Sequence, residues 1–301
     1  MTTDTLTTDA LQPSQNSRRT WINSLQITYL LVALVVIITL FPFYWMAVTS
    51  FKPLQELYST ETNPLYVADP VLTHYIDLFQ ETLFAHWMQN SLIVSAAATV
   101  LSIFAATLAG YALARLKFPG ANFLGWAIFV TYLIPPTLLF LPLAQVVSQL
   151  TRVTGIKFSN SLFGLIVVYP TFLVPFGTWL LIGFFRSIPN DLEECAMIDG
   201  ARRITAFLRI TLPLALPGIL SVALFSFTLS WNEFLYALVF ISTPTTKTIP
   251  IGVTSELIRG DAFFWGQLMA GALLGSIPVA LIYSFFVDKF VEGMTAGAVK
   301  G

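Results

Sequence analysis

Six stretches of this 301-residue chain are apolar for as long as a bilayer requires, at about 27–50, 89–114, 123–148, 161–185, 214–241 and 268–288. Across all six, the only Asp, Glu, Lys or Arg residues are Glu233 and the terminal Asp288. A hydrocarbon core about 30 Å thick takes roughly 20 helical residues to cross. Inside it every backbone N–H and C=O must be paired within the protein, which leaves helices or closed barrels. Runs of this length predict an all-α membrane protein with six transmembrane helices. Composition agrees, at 56% hydrophobic and 10% charged, where soluble domains carry about 25% charged residues. A net charge of −1 offers no general attraction for nucleic acid, and a single cysteine excludes an internal disulfide or a cysteine metal cluster.

The basic residues then set the orientation. Arg18, Arg19, Arg115, Lys117, Arg186, Arg202, Arg203, Arg209, Lys289 and Lys300 fall on one side of the alternating spans. Lys52, Arg152, Lys157, Lys247 and Arg259 fall on the other. Ten against five places both termini on the cytoplasmic side by the positive-inside rule. Arg18-Arg19 suggests a twin-arginine export signal, but the run after it is too long for a signal peptide and ends in Phe41-Pro42-Phe43-Tyr44-Trp45 instead of small residues. Residues 1–26 therefore read as a cytoplasmic arm, 27–50 as the first span and 51–88 as an external loop.

The largest charged interruption of the second half is Asn190–Pro213, on the cytoplasmic side. Asn190 followed three residues later by Glu193 has the spacing of a capping box. Asp191, Glu193 and Glu194 suit the positive end of a helix dipole. Leu192, Cys195 and Ala196 share a face, and Gly200 follows Asp199 where a helix closes in a left-handed turn. A second short pattern places Ile204, Phe207 and Leu208 together before Pro213. Helices this short are marginal alone, so the segment needs a surface to dock on, or else lies in the interface as an amphipathic hairpin.

Glu194-Cys195-Ala196, Gly200 and Ile210-x-Leu212-Pro213 resemble the E-A-A…G…I-x-L-P loop of ABC importer permeases, with Cys195 where alanine is usual. Gly110-Tyr-Ala-Leu-Ala-Arg-Leu-Lys-Phe-Pro-Gly120, Ser50-Phe51-Lys52-Pro53, Ser230-Trp231-Asn232-Glu233-Phe234 and the tail Met294–Gly301 are similar to carbohydrate permeases of the MalG type. The resemblance implies a type I importer permease fold. Its core is 89–290, its coupling loop 190–213, and its cytoplasmic tail 291–301. It implies a multi-pass protein of the bacterial inner membrane that works by alternating access beside a second, related permease. A cytoplasmic ATPase dimer carrying MgATP and an external sugar-binding protein complete the assembly. On this resemblance the loop residues that meet the ATPase are Asn190, Leu192, Glu193, Glu194, Cys195, Ala196, Asp199, Gly200, Ala201, Phe207, Ile210, Leu212 and Pro213. Thr295, Gly297 and Lys300 of the tail add a second contact.

What the chain lacks fits that division of labour. No G-x-x-x-x-G-K-[S/T] phosphate loop is present, so ATP hydrolysis is expected on another chain and no cofactor on this one. Two histidines and one cysteine assemble no catalytic set, and His74 and His86, isolated in sequence, read as ordinary polar residues. A secondary transporter would show inverted repeats and several ionisable groups at mid-span, and a channel a repeated filter motif. A permease for a non-sugar solute is the nearer alternative. Asn232 and Glu233 are expected to face the bundle interior near the outer end of the fifth span, lining the pathway. The outer aromatics, including Phe263-Phe264-Trp265, read either as an interfacial belt or as contacts for an external protein.

Overall fold

A computed structural model describes the backbone of residues 15–298 and the side chains of residues 26–286. In chain order the elements are α1 Gln15–Phe51, α2 Leu54–Tyr58, α3 Thr73–Gln80, α4 Phe84–Arg115, α5 Ala121–Leu133, α6 Pro136–Thr154, α7 Leu162–Val168, α8 Pro170–Ser187, α9 Asp191–Ile198 and α10 Arg203–Ala206. A π-helical turn, Phe207–Thr211, leads to α11 Leu212–Leu214, α12 Leu216–Trp231 and α13 Leu235–Phe240. After a 3-10 turn at Pro244–Thr246 come α14 Ile249–Leu257, a two-stranded hairpin of β1 Ile258–Arg259 and β2 Ala262–Phe263, and α15 Trp265–Ala298.

Helix α4 is the axis of the bundle and packs on α8 and α12. Its inward face is small: Ser95, Ala98, Thr99, Ser102, Ala106 and Gly110 are all buried. That lets the backbones approach, as small residues do between membrane helices. A Cβ on Gly110 would stand 3.0 Å from that of Leu181, and one on Gly177 would meet Val222 at 2.9 Å and Ala106 at 3.1 Å. Glycine at both positions is a packing requirement. Helices α1 and α15 pair at the periphery, and α1 exposes a continuous apolar surface from Ile27 to Tyr44 of the kind that faces lipid. The Gly271–Gly275 pair of α15 serves packing within the chain, since the Gly275 carbonyl accepts a 3.0 Å hydrogen bond from the Trp231 indole.

Four helical segments are long and apolar enough to cross a membrane: Gln26–Phe51, Phe84–Arg115, Leu162–Ser187 and Trp265–Phe286. The remaining two apolar runs are broken. The third is not a single rod, because α5 and α6 meet at 100°. Pro135 and Pro136 cause the break: neither has an N–H for the helix ladder, and each drives its predecessor into extended backbone, as at Ile134 (ψ 119°) and Pro135 (ψ 130°). The fifth is bent by 69° at Ala215, between Arg203–Leu214 and α12, and α12 gives way to α13 at Asn232–Phe234. By contrast Pro170 and Pro175 are absorbed, and α7–α8 run on as one 26-residue span.

Both ends of the chain extend the spans further than expected. No proline or glycine lies between Ser14 and Phe41, and α1 is already helical at Gln15, inside the region read as an arm. Likewise α15 stays helical to Ala298 instead of ending before the tail. The tail contact assigned to Thr295, Gly297 and Lys300 lies outside the described side chains.

The loops at the end of the bundle away from α9 interlock. Asn160, the one non-glycine residue with positive φ among those described (52°), accepts at its side-chain oxygen from the Ser242 and Thr243 N–H groups, both at 3.0 Å. His74 is buried and hydrogen-bonds the Lys52 carbonyl at 2.8 Å, which explains its presence without a metal. Phe263 and Trp265 stack at 5.1 Å, and the Tyr58 hydroxyl donates to the Phe263 carbonyl at 2.9 Å.

Candidate functional site

The segment from Asn190 to Pro213 forms the elements that its sequence suggests, but is held by different contacts. Helix α9 starts among Asp191, Glu193 and Glu194, which complement its dipole. The capping box does not form. Asn190 is itself helical (φ −65°, ψ −32°) and its side chain makes no capping bond.

Glu193 turns inward instead, 7% exposed. Its Oε2 accepts from the Tyr111 hydroxyl at 3.0 Å, and its Oε1 accepts from the Thr211 hydroxyl and lies 3.5 Å from Arg115 Nε. Arg115 is buried alongside and donates from Nη2 to the Ile188 carbonyl at 2.7 Å. The Tyr111 ring lies against Phe207 (4.3 Å between centroids) and Phe185 (5.8 Å). One carboxylate therefore ties together the end of α4, the α8–α9 junction and the π turn. A buried ion pair of this kind contributes little net stability when complete, yet losing one partner costs about 3–5 kcal/mol.

The outward face follows from that anchoring. With Glu193, Ala196 and Met197 turned in at i, i+3, i+4, residues Leu192, Cys195 and Ile198 point away from the bundle. Leu192 is 42% exposed and Ile198 84%. Ala196 thus parts from the face expected for it. Phe207 likewise parts from Ile204 and Leu208: it opens a π turn, closed by the Leu212 N–H on its carbonyl, and faces inward with Ala206 and Thr211. Phe207 is buried while Ile204 and Leu208 are exposed. Pro213 does not end the segment. It sits inside α11 next to Leu212, which packs on the Tyr111–Phe185–Phe207 cluster, and the chain passes into α12 through a 69° bend.

Between the two short helices, Gly200 has φ +91°. Its N–H bonds the Met197 carbonyl at 3.1 Å and that of Ala201 bonds the Ala196 carbonyl at 2.9 Å. These are the two bonds of a Schellman closure. Asp199 is the C-cap and exposed, and Ile210 is half-buried in the π turn. Glu194 remains exposed beside a cavity of about 640 Å³ also lined by Glu193, Arg115, Lys117, Arg186 and Arg203. The sequence assigned no role to Tyr111, Arg115 or Thr211 in this site. Their signal was the i, i+4 spacing of Tyr111 and Arg115 in the Gly110–Gly120 motif; Thr211 gave none.

At the other end of the bundle Asn232 and Glu233 separate. Asn232 is exposed and donates its amide back to the Thr228 carbonyl at 2.9 Å. Glu233 turns inward, accepting from the Tyr236 and Ala237 N–H groups at 2.8 and 3.0 Å and from the Tyr169 hydroxyl at 3.0 Å. It caps α13 and fastens it to the start of α8. Glu233→Leu is expected to leave the complex assembled but lower uptake, because α13 loses its first-turn partners and Tyr169 its acceptor. Glu233→Gln, which keeps an oxygen acceptor, should lose less. Wild-type transport kinetics in the leucine variant would refute this.

The structure is thus an apolar, multiply spanning bundle with a short helix–glycine–helix segment hung from one end on a buried carboxylate clamp. The family model described as "Binding-protein-dependent transport system inner membrane component" matches residues 98–295. The chain belongs to that family. It is 35% identical over 272 residues to the inner membrane ABC transporter permease protein YcjP of Escherichia coli, covering 90% of this chain and 94% of YcjP. It is 34% identical to the trehalose/maltose transport system permease protein MalG of Thermococcus litoralis, covering 89% and 94%. Among solved structures, a bacterial ABC transporter involved in the import of the acidic polysaccharide alginate has a chain that superposes with a TM-score of 0.75 at 18% identity. That match covers 93% of this chain and 99% of the other, a likeness of fold.

Proposed function

We propose that this chain is one of two related permeases of an ATP-driven importer that moves a carbohydrate (oligosaccharide, glycoside or polyol) across the bacterial inner membrane by alternating access. The observation that carries the coupling role is the fixed outward face of Asn190–Pro213. Leu192, Cys195, Ile198, Ile204 and Leu208 stand exposed on a segment whose other side is clamped through Glu193. Exposed apolar groups rimmed by charge mark a protein-docking surface. A cytoplasmic ATPase dimer binding MgATP is the partner this reading supplies. Its closure would swing the segment, and the clamp would pass that motion to α4 and α12. The carbohydrate assignment is supported by the trehalose/maltose permease at 34% identity. The external loops would receive a sugar-binding protein. Both termini are cytoplasmic in this reading, and six crossings follow if each broken run counts as one.

Coexpression with the candidate ATPase and second permease tests it. The three chains should purify together. Reconstituted in vesicles with the binding protein, they should accumulate labelled sugar only when ATP is present on the ATPase side. A chain that purifies alone and moves solute down an ion gradient without ATP would be a secondary transporter instead.

A further inference from the structure

The cavity of about 640 Å³ beside Glu194 lies where the connection between α4 and α5 meets α9, and its size is within the roughly 300–1,000 Å³ usual for small-molecule sites. Its charge is unbalanced. Arg115, Lys117, Arg186 and Arg203 line it, against the carboxylates of Glu193 and Glu194. Glu193 is already engaged by Arg115, Tyr111 and Thr211. The side chains of Lys117, Arg186 and Arg203 make no hydrogen bond or ion pair among the described residues. Helix dipoles account for Arg115 and Arg186, which lie in the last turns of α4 and α8. They do not account for Lys117, past the end of α4, or for Arg203, which opens α10 where a dipole disfavours a cation.

The first turn of α5 brings further donors to the same place. Gly120, Ala121, Asn122 and Phe123 line the cavity. A helix start leaves its first N–H groups without intrahelical partners, and nothing caps them here. Gly120 stands at the N-cap without a side chain, the first turn carries no acidic residue, and the Asn122 and Phe123 N–H groups make no hydrogen bond among the described residues. Arg115 adds one more open donor: its side chain is 6% exposed, and its Nε makes no hydrogen bond. On α9 the lining residues are Asn190, Glu193, Glu194 and Met197, spaced i, i+3, i+4, i+7 along one face. Leu192, Cys195 and Ile198 lie on the other face, so a partner seated on them leaves the cavity open.

We propose that this cavity is a phosphate-binding site, which takes the phosphate of an anionic phospholipid or of a soluble phosphorylated metabolite and so ties the α4–α5 connection to the α9–α10 segment. Guanidinium groups match phosphate oxygens through paired N–H bonds, and lysine adds a point charge. A helix N-terminus holds phosphate through its backbone N–H groups. All three kinds of donor converge here. An uncharged sugar would leave the cations without a counter-charge, so this is not a place for cargo. Basic pockets between spans hold lipid headgroups in the same way, and Phe118 and Phe123, both exposed, offer apolar surface beside the cations. The site depends on the function proposed above only for its consequence. If α9 couples ATP hydrolysis to transport, an occupied cavity stiffens that segment against α4 and changes the rate of uptake.

The test reads binding to the full-length permease, purified with its partner chains in phosphatidylcholine nanodiscs. One probe is phosphatidylglycerol mixed into the phosphatidylcholine, and the other is inorganic phosphate, compared with chloride at matched ionic strength. Retention of phosphatidylglycerol identifies a lipid source, and binding of inorganic phosphate a soluble one; either supports the site. Lys117→Gln with Arg203→Gln should weaken that binding about tenfold or more, because both charge-assisted contacts are lost. Neither side chain holds a partner in the fold, so folding is not at risk. Arg202→Gln with Arg209→Gln removes the same charge from residues outside the cavity and should leave binding unchanged. Undiminished binding in the first double variant would overturn the proposal, as would an equal loss in the second, which would mean diffuse surface charge. Binding of neither probe would also overturn it, and if the first double variant then sheds the ATPase, the cavity seats an acidic side chain of that partner instead. Binding is read without transport, so failure of the carbohydrate reading and failure of this site are separate results.

Discussion

Glu193→Ala is expected to release the ATPase and abolish ATP-driven uptake, while the membrane helices insert as before. The carboxylate holds three largely buried groups: the Tyr111 hydroxyl, the Thr211 hydroxyl and the Arg115 guanidinium. Removing it leaves an uncompensated buried cation, at a cost of about 3–5 kcal/mol. Two unsatisfied hydroxyls add to that cost. The spans do not feel this, since insertion depends on their apolar length. The orientation of α9 against α4 does. Copurification of the ATPase, with uptake in vesicles, is the measurement. Replacing both charges at once, as Arg115→Met with Glu193→Leu, should recover part of the assembly, because an apolar pair strands no buried charge. A Glu193→Ala permease that retains its ATPase and full transport would show that the clamp does not orient the segment.

The clamp also shows how far the sequence reaches. The apolar runs made the class of fold legible, because it depends on composition over twenty residues at a time. The interlocked contacts of the structure show which loops share a side: Arg115 meets Ile188 and Glu193, while Asn160 meets Ser242 and Thr243. Gly200 was legible because a left-handed closure needs that residue type at that place. The bend between α5 and α6 was legible as a location, at Pro135-Pro136, but not as an angle.

What could not be read were the long-range choices. Glu193 had a local partner available, the Asn190 end of its own helix, and the capping spacing was present. The buried Tyr111 and Arg115, some eighty positions earlier, won because a carboxylate gains more from a guanidinium and two hydroxyls than from one backbone N–H. That choice rotates α9 and decides that Leu192 and Cys195 face outward while Ala196 faces in. The separation of Phe207 from Ile204 and Leu208 has a similar origin. The Phe207 ring packs on the Tyr111–Phe185 cluster, a long-range contact that a helical wheel does not contain. Gly125 and Gly183 drew no comment in the sequence. Only the open space that a Cβ would meet at both distinguishes these glycines from Gly110 and Gly177.

Gly200→Val is expected to insert and fold its spans normally yet lose ATPase binding, or the coupling of hydrolysis to transport. The backbone there has φ +91°, and the two N–H bonds that close α9 depend on that turn. A Cβ would meet no atom within 4 Å, so crowding is not the cause. The cost lies in the backbone itself. A β-branched residue held at positive φ is strained by about 1–2 kcal/mol or more. Relief comes from opening the turn, which gives up the hydrogen bonds from Gly200 and Ala201 and changes the angle between α9 and α10. The exposed residues on the two helices, Ile198 and Leu192 on one and Ile204 on the other, then no longer present one surface. Gly200→Asn, a residue that tolerates the left-handed region better, should retain more coupling than the valine variant. Cys195→Ala changes one small exposed side chain and should be nearly silent. The measurements are uptake and ATPase copurification for all three variants. A fully active Gly200→Val transporter, or an inactive Cys195→Ala one with its ATPase still bound, would mean that the angle of this turn is not what the ATPase reads.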